Sequence, residues 1–464
     1  MPEPVEAAQA LLSALGSGLR GRLILPGEAA YDSARSVFNS MIDRRPLAVV
    51  HCVDASDVAL GIESAQHFDV QLCVRAGGHN VAGNAVRDRA LMLDLSLMKG
   101  TDIDPDRGTV VAGAGLTLGE FDRANHAVGM ASPMGVVSMT GIAGLTLGGG
   151  LGWLNGRYGL ACDNLVAAEV VTAEGQRIRA SEDEHSDLYW ALRGGGGNFG
   201  VVTSFEYRLH PVVQVLAGGL VFAWSDAPPV LRFYDEFVKA APDELSTAAS
   251  LWVNQGGEPM LSLAVCYCGS ITEGERVLAP LRRFISPVID DIKPIDYPAW
   301  QCLPDGGFPD GRLHYWKSGF LREVNEEAIE ILMSFVSKMP SAVSGVGLQQ
   351  MHGAASRVSP SATAFAHRAE QYDMLILSQW DDAADSDQNI AWTRSLFEAM
   401  QPHLDGVYVN NLGEEGSERV RAAYGQNYSR LAAIKQTYDP MNVFHANQNI
   451  APDSPTPDDP SPVI

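Results

Sequence analysis

Apolar positions in the first two hundred residues come in short runs, most of them followed by a stretch with helical spacing. Residues 47–50 form such a run, 54–67 repeat apolar positions at three and four, and 71–75 read as a strand that enters a glycine loop. Short apolar runs bounded by turn residues predict strands, and the three-four spacing predicts amphipathic helices. The same reading gives strands at 91–95, 109–112, 167–172 and 201–207, and helices at 4–15, 117–128 and 187–192. After His210-Pro211 the rhythm changes. Strands at 215–222, 250–253, 261–268 and 374–379 alternate with helices at 230–240 and 326–338, the pattern of an antiparallel sheet backed by helices. One helix is expected at 417–438, followed by a Pro-rich acidic tail expected to be disordered from about residue 452. The fold class is therefore α+β, with boundaries predicted at 1–212, 213–404 and 405–464, and no internal repeat is evident.

Composition narrows the function. The chain has 464 residues, 46% of them hydrophobic and only 19% charged, enough for a large core with many tight loops. A formal net charge of -23 argues against nucleic acid, whose phosphates this surface would repel. Six cysteines are present, and only Cys266 and Cys268 lie close together. Two thiols make half a metal site, so no metal is expected and free buried thiols are. The acidic N-terminus lacks the apolar core of a secretory signal, and no stretch approaches the ~20 apolar residues of a membrane span. The expected setting is the cytoplasm, without a membrane partner.

Candidate chemistry sits in the glycine-dense stretches. Arg75-Ala76-Gly77-Gly78-His79-Asn80-Val81-Ala82-Gly83-Asn84 places glycines where successive main-chain N–H groups can turn inward as an anion nest, with Arg75 adding a positive charge. It is neither a Walker loop nor the G-x-G-x-x-G fingerprint, and a tight turn with a surface histidine would show the same spacing. A second run, Gly141-Ile142-Ala143-Gly144-Leu145-Thr146-Leu147-Gly148-Gly149-Gly150-Leu151-Gly152, is denser still. Each glycine in a regular element costs about 0.5–1 kcal/mol, a cost that a backbone pressed against a flat ligand would explain. A third loop spans 193–200.

The segments RAGGHNVAG, TGIAGLTLGGGLGWLNGRYGLACDNL and RGGGGNFGVVTSFEYRLHP, with YGQNYSRLAAIKQTYDPMNVFHANQNI near the C-terminus, resemble the FAD-linked oxidases related to berberine bridge enzyme. The resemblance covers nearly the whole chain. It implies the vanillyl-alcohol oxidase or p-cresol methylhydroxylase (PCMH) type of fold: a two-part FAD-binding domain, with a substrate domain inserted before a C-terminal segment that returns to the first part. It also implies FAD joined through its 8α-methyl to His79. Arg75, Ala76, Gly77, Gly78, Asn80, Val81 and Gly83 would wrap the pyrophosphate. Val137, Ser138, Gly141, Gly144, Gly148, Gly149 and Gly152 would line the flavin, with Asn164, Gly200 and Val202, and Asn447 and Asn449 would close the pocket. Many relatives carry a second, cysteinyl link in a G-x-C-P-T-V-G stretch. Val137 stands at that position, so attachment through His79 alone is expected; Cys162 lies well past it.

The resemblance further implies removal of a hydride from a C–H beside a hydroxyl or amine, with reoxidation by dioxygen (O2) to H2O2. The substrate would be a small molecule: a sugar, an aromatic alcohol or a secondary metabolite. Such chemistry needs a base at the substrate O–H or N–H. Sugar- and alcohol-oxidising relatives use a C-terminal tyrosine, for which Tyr424 and then Tyr428 are the nearest matches. Other relatives use a glutamate shortly before a Phe-x-His-Arg stretch, here Phe365-Ala366-His367-Arg368, but Ser361-Ala362-Thr363-Ala364 offers no carboxylate. The strand around residues 312–317 puts His314 and Trp316 on one face and Tyr315 and Lys317 on the other. One face is expected to meet substrate, and spacing leaves open which. His367 and His352 are further candidates. Two other readings remain: a flavoprotein that sequesters a small molecule with little turnover, and a flavin dehydrogenase with another acceptor. A monomer or homodimer is expected.

Overall fold

The structure, a computed structural model, describes residues 4–453. The tail expected to be disordered lies, from 454 on, outside the described residues.

The N-terminal half holds two sheets. The first runs Arg22–Ile24, Ala48–His51, Leu91–Asp94, Leu72–Arg75 in spatial order. Its last three strands are parallel, in register Ala48 to Leu91 and Leu72 to Leu91. Leu91–Asp94 is buried along its whole length, as a central parallel strand must be. Asp54 caps the crossover helix Ala55–His67, its carboxylate accepting from the N–H groups of Ser56 and Asp57. The second sheet is antiparallel, in the order Thr101–Asp104, Thr109–Gly113, Val201–Arg208, Leu165–Val171, Arg177–Ser181.

Between Gln214 and Asp405 the chain builds one nine-stranded antiparallel sheet. Its central order is Gln214–Ala223, Pro259–Tyr267, Leu245–Val253, Gly345–Met351, Gln371–Trp380, Leu313–Leu321. Side chains alternate across a strand, so one face carries Leu220, Leu263, Val346, Tyr372, Met374 and Ile376 into a core shared with helices Ala227–Lys239, Glu326–Val336 and Ser386–Met400. The opposite face turns toward the N-terminal half. There the carbonyl of His314 accepts from the Asn39 amide at 3.0 Å, and Asn155 reaches Ser246 at 3.3 Å.

Residues 407–450 return to the first core, where Val407, Leu412, Tyr424, Leu431 and Ile450 join Leu93, Leu147 and Phe199 in one cluster. Fully buried Lys435 ties this return in place: its ammonium donates to the carbonyls of Asn198 at 2.7 Å and Phe444 at 3.0 Å and to Asp439 at 2.6 Å.

Several elements differ from the sequence reading. The single helix expected at 417–438 is two helices, Gly416–Tyr424 and Tyr428–Tyr438, broken where Gly425 takes φ 50°. The second glycine run contains a helix, Ile142–Leu147. Strand Gly345–Met351 and helices Ile271–Phe284 and Ser386–Met400 were not anticipated.

Candidate active site

Strand Leu72–Arg75 delivers the first glycine loop. Among the described residues, no protein acceptor pairs with the main-chain N–H groups of Gly77, Gly78, Asn80 or Val81, while Ala82 N–H donates to the Asn80 side chain at 3.0 Å. Gly78 and Gly83 both take φ 64°, which lets the loop fold back on itself. A Cβ at Gly77 would sit 2.4 Å from the nitrogen of Gly141, and one at Gly141 would sit 2.6 Å from that of Gly77. The first two loops therefore meet backbone to backbone. Arg75 departs from its expected role. Its guanidinium donates to Asp94 at 2.6 Å and to the Ser36 carbonyl at 2.7 Å. Burial alone would raise the Asp94 carboxyl, but hydrogen bonds from His51 and Arg75 outweigh it and hold it at about 2. Arg75 is thus a neutralised brace under the loop, and the unpaired main-chain N–H groups are the donors left free there.

His79 is the singular side chain of this loop. Burial pulls its imidazole down to about 4, so the ring is neutral at physiological pH. Its Nε2 is buried and meets no protein partner. The ring stacks on Phe38 at 4.0 Å, and the other side of Phe38 stacks on His314 at 4.2 Å, with Trp316 edge-on. Leaving such a nitrogen unsatisfied costs about 1–3 kcal/mol, so its persistence marks a place where something binds.

The second loop is held from across the molecule. Ser138 N–H donates to Asp305 at 3.0 Å and its hydroxyl at 2.5 Å, while Gln301 donates to the Gly135 carbonyl at 3.1 Å. Val137 lies between them, 7% exposed. Most of the glycine density here answers to protein neighbours: a Cβ at Gly148 would strike Asn410, at Gly149 Phe365, and at Gly152 the Met134 carbonyl. Gly144 and, in the third loop, Gly197 face open space instead. Beside Gly197, whose carbonyl accepts from the Asn447 amide at 3.1 Å, the side-chain oxygens of Asn447 and Asn449 are buried without partners. Gly200 and Val202 act through strand geometry: a Cβ at Gly200 would meet Val170 at 2.6 Å, and Val202 pairs with Val170. Asn164, expected at the flavin, is spent inside its own turn. Its amide donates to the carbonyls of Tyr158 and Leu160, and its oxygen bonds His210 at 2.7 Å.

The large sheet roofs this cradle. Its register puts His314, Trp316, Ser318 and Phe320 on the inward face together with Gln371 and Asp373. Unpartnered buried atoms crowd that face: both ring nitrogens of His314, Nε1 of Trp316, Oγ of Ser318, Nε2 of Gln349 and Gln371, and Oδ1 of Asp373. Folded proteins leave few such atoms, and a row of them marks a ligand face. Asp373 was not anticipated. Burial raises its carboxyl to about 7, opposed only by the Asn411 amide, which donates to Oδ2 at 2.7 Å. An acid at an inward position of strand Gln371–Trp380, directly before its apolar centre Met374 to Leu377, was the signal available. Close by, the Tyr408 hydroxyl accepts from the N–H groups of Gly150 at 2.9 Å and Leu151 at 3.2 Å and from Asn410 at 2.8 Å.

Other candidates fall away from this face. Tyr315 and Lys317 point to the helices, where Tyr315 accepts from Arg394 at 3.1 Å and Lys317 pairs with Glu415 at 2.7 Å. The Tyr424 hydroxyl donates toward the carbonyls of Gly195 at 3.3 Å and Gln448 at 3.4 Å inside the first core, and burial raises its pKa, the wrong direction for a base. Tyr428 packs under Arg421. His367 donates to the Ala422 carbonyl at 2.9 Å and His352 to that of Leu245 at 2.7 Å, both structural bonds. Among the described residues no cluster of three metal-ligating side chains exists, all six cysteines are free, and no helix is long and apolar enough to cross a membrane.

Comparison with known proteins agrees with this geometry. A family model described as FAD binding domain matches residues 46–181, and one described as berberine and berberine like matches residues 407–451. An FAD-linked oxidoreductase of Dictyostelium discoideum is 31% identical over 89% of this chain and 91% of its own. The (R)-6-hydroxynicotine oxidase of Paenarthrobacter nicotinovorans is 30% identical over 94% of this chain and 97% of its own. The crystal structure of 6-hydroxy-D-nicotine oxidase from Arthrobacter nicotinovorans superposes with a TM-score of 0.88, covering 94% of this chain and 98% of that one at 30% identity. The backbone nest, the unsatisfied imidazole and the matched families converge, and the chain belongs to the berberine bridge enzyme-like FAD-dependent oxidoreductases, on the PCMH-type FAD-binding fold.

Proposed function

We propose that the chain is an oxidase that carries FAD on His79 and removes a hydride from a C–H next to a hydroxyl or amine of a small molecule, passing the electrons to dioxygen. The residues present suit that cofactor. The N–H groups of Gly77 to Val81 would hold its pyrophosphate, the space beside Gly144 and Gly197 its rings, and Nε2 of His79 the covalent bond. Bound there, FAD supplies a two-electron acceptor for the hydride. Val137 leaves the loop without a thiol, so His79 is the sole attachment.

The protein's own part in the reaction is proton management. Oδ1 of Asp373 accepts the substrate's O–H or N–H proton, while Asn411 fixes Oδ2 and keeps the carboxyl turned inward. A base whose pKa lies near 7 combines adequate ionisation with adequate driving force. Tyr408, gathering three donors, holds the Gly150–Leu151 turn against the same face. The name of the 6-hydroxynicotine oxidase relative supports the oxidase half of the reading.

The observation that carries this reading is the buried, neutral, unpartnered Nε2 of His79. Acid precipitation of the purified protein tests it: yellow colour should stay in the pellet for the native chain and pass to the supernatant for His79→Ala. Flavin that washes free of the native protein refutes the linkage. Stopped-flow reoxidation tests the acceptor, since a reduced flavin that persists in air would place the chain among dehydrogenases.

A further inference from the structure

Residues 36–40 form a wedge between the first glycine loop and the strand Leu313–Leu321. Phe38 N–H donates to the Gly78 carbonyl at 3.0 Å. The Asn39 amide donates to the carbonyls of Val81 at 2.8 Å and His314 at 3.0 Å, and its oxygen accepts from the His314 N–H at 3.1 Å. Ser40 N–H donates to the Arg312 carbonyl at 3.1 Å. The wedge is therefore tied on one side to the residues flanking His79 and on the other to a long strand of the large sheet. These ties fix where the Phe38 ring stands.

That ring has no part in a hydrophobic core. Its neighbours Val37 and Ile42 pack into one, but among the described residues Phe38 joins none, and it is partly exposed. A phenylalanine ordinarily serves through the large apolar area it buries. Here its two faces are given to two imidazoles: His79 at 4.0 Å with 15° between the planes, and His314 at 4.2 Å with 27°. Trp316 meets its edge at 5.8 Å, and Phe308 is tilted toward it at 6.3 Å. A ring anchored at its Cβ and pressed against a fixed flat face keeps one plane, so Nε2 of His79 is held to that plane. The stack also keeps water from the imidazole, and this desolvation draws its pKa down to about 4. Ionisable groups around it act weakly. The Asp305 carboxylate, which raises the value, is engaged by Ser138. His314 is itself neutral, drawn down to about 3 by burial, and Arg312 beyond it is paired with Asp381. A neutral imidazole keeps a lone pair on one nitrogen. With the proton on Nδ1, that lone pair belongs to Nε2.

We propose that Phe38 is a positioning residue for covalent flavin attachment: its fixed face holds the His79 ring with Nε2 presented to the flavin methyl carbon, and His314 backs that face from the other side. The role rests on the reading that His79 carries FAD, and it names the part of the chain that makes the imidazole competent. In the attachment one C8α–H bond breaks and the Nε2–C8α bond forms. The C–H hydrogen leaves as a proton and the imidazole gives up its N–H proton. Two electrons stay with the flavin until dioxygen takes them, with both protons, as H2O2. Such a step demands orientation, since the reacting atoms must meet at about 3–3.5 Å with their orbitals aligned. Phe38 takes no proton and forms no bond; it acts through His79 alone.

Full-length chain produced in riboflavin-starved cells and then mixed with FAD tests the role. Two quantities are read: FAD uptake, by quenching of flavin fluorescence, and covalent attachment over time, by fluorescence of the protein band after denaturing electrophoresis. Phe38→Leu keeps the apolar bulk and loses the flat face. It should slow attachment at least about tenfold while FAD uptake stays within about twofold of native. Phe38→Tyr, which keeps the face, should attach at close to the native rate. The pH profile separates this role from general packing. The native rate should hold level from about pH 8 to about pH 5, because the imidazole stays neutral. In Phe38→Ala water reaches the ring and its pKa returns toward about 6.5, so the rate should drop at least about fivefold between about pH 7 and about pH 5. Native-rate attachment in Phe38→Leu, equal losses of uptake and attachment in that variant, or a native rate that already falls through about pH 6.5 overturns the proposal. A native chain that never gives a fluorescent band refutes the linkage to His79 and this role with it, so the same gel tells the two failures apart.

Discussion

At the scale of single residues, two buried carboxyls set opposite pH dependences. Asp373 must be ionised to act as a base, and burial raises it to about 7, with Gln349, Gln371, Asn411 and Tyr408 around it and no cation. Turnover at low substrate should therefore fall as pH drops through about 7. Asp373→Asn should lower kcat/KM at least about 100-fold and abolish that limb, as pH–rate profiles of the pair would show. Asp122 is a different case. Burial raises it too, to about 7, against a hydrogen bond from Gln301 at 3.2 Å across the junction of the two halves. Its folded pKa lies above the unfolded value of 3.8, so its contribution to stability is full below that value and lost as pH rises toward 7. Asp122→Asn should consequently gain stability on the order of 2–4 kcal/mol at pH 8 and almost none at pH 4, measured by urea unfolding. These two acids also show what could be read without coordinates. His79 stood out because glycines announce its loop in sequence. Asp373 did not, since its chemistry arises from strands that only pairing brings together, and Tyr424 was favoured for its place in a motif although its hydroxyl is consumed by main-chain carbonyls.

At the scale of elements, local signals served best where one face of a strand or helix is uniformly apolar. The strands at Leu91–Asp94 and Val201–Arg208 and the capped helix Ala55–His67 were legible for that reason. Strand Gly345–Met351 was not, because glycine at 345 and 347 and glutamine at 349 and 350 remove the alternation. The C-terminal break at Gly425 was likewise hidden inside a helical pattern. Helix Tyr428–Tyr438 carries its own test. Burial pulls the Lys435 ammonium below its usual range, and Asp439 opposes the shift. Lys435→Met would strand a buried carboxylate and should cost about 3–5 kcal/mol in chemical denaturation, with partial recovery in Lys435→Met/Asp439→Asn. The same lysine bonds the Asn198 carbonyl, so the third glycine loop should become accessible to protease in the single variant.

At the scale of the whole molecule, the inserted sheet and the nucleotide cradle are one construction. Asp305 and Gln301, both from the segment that follows strand Lys293–Asp296, hold Ser138 and Gly135, and Asn39 holds the His314 strand in return. Asp305→Ala should lower the flavin-to-protein ratio of freshly purified material at least about twofold, by absorbance, while the two halves still unfold in a single transition by circular dichroism. The clasp at Ser138 also means that a nascent chain completes its coenzyme berth only after residue 305 has been made and has docked. Pigmentation is then a natural gauge of maturation: molecules that reach colour have assembled across both halves, and pale ones can be sorted as immature before any assay is run.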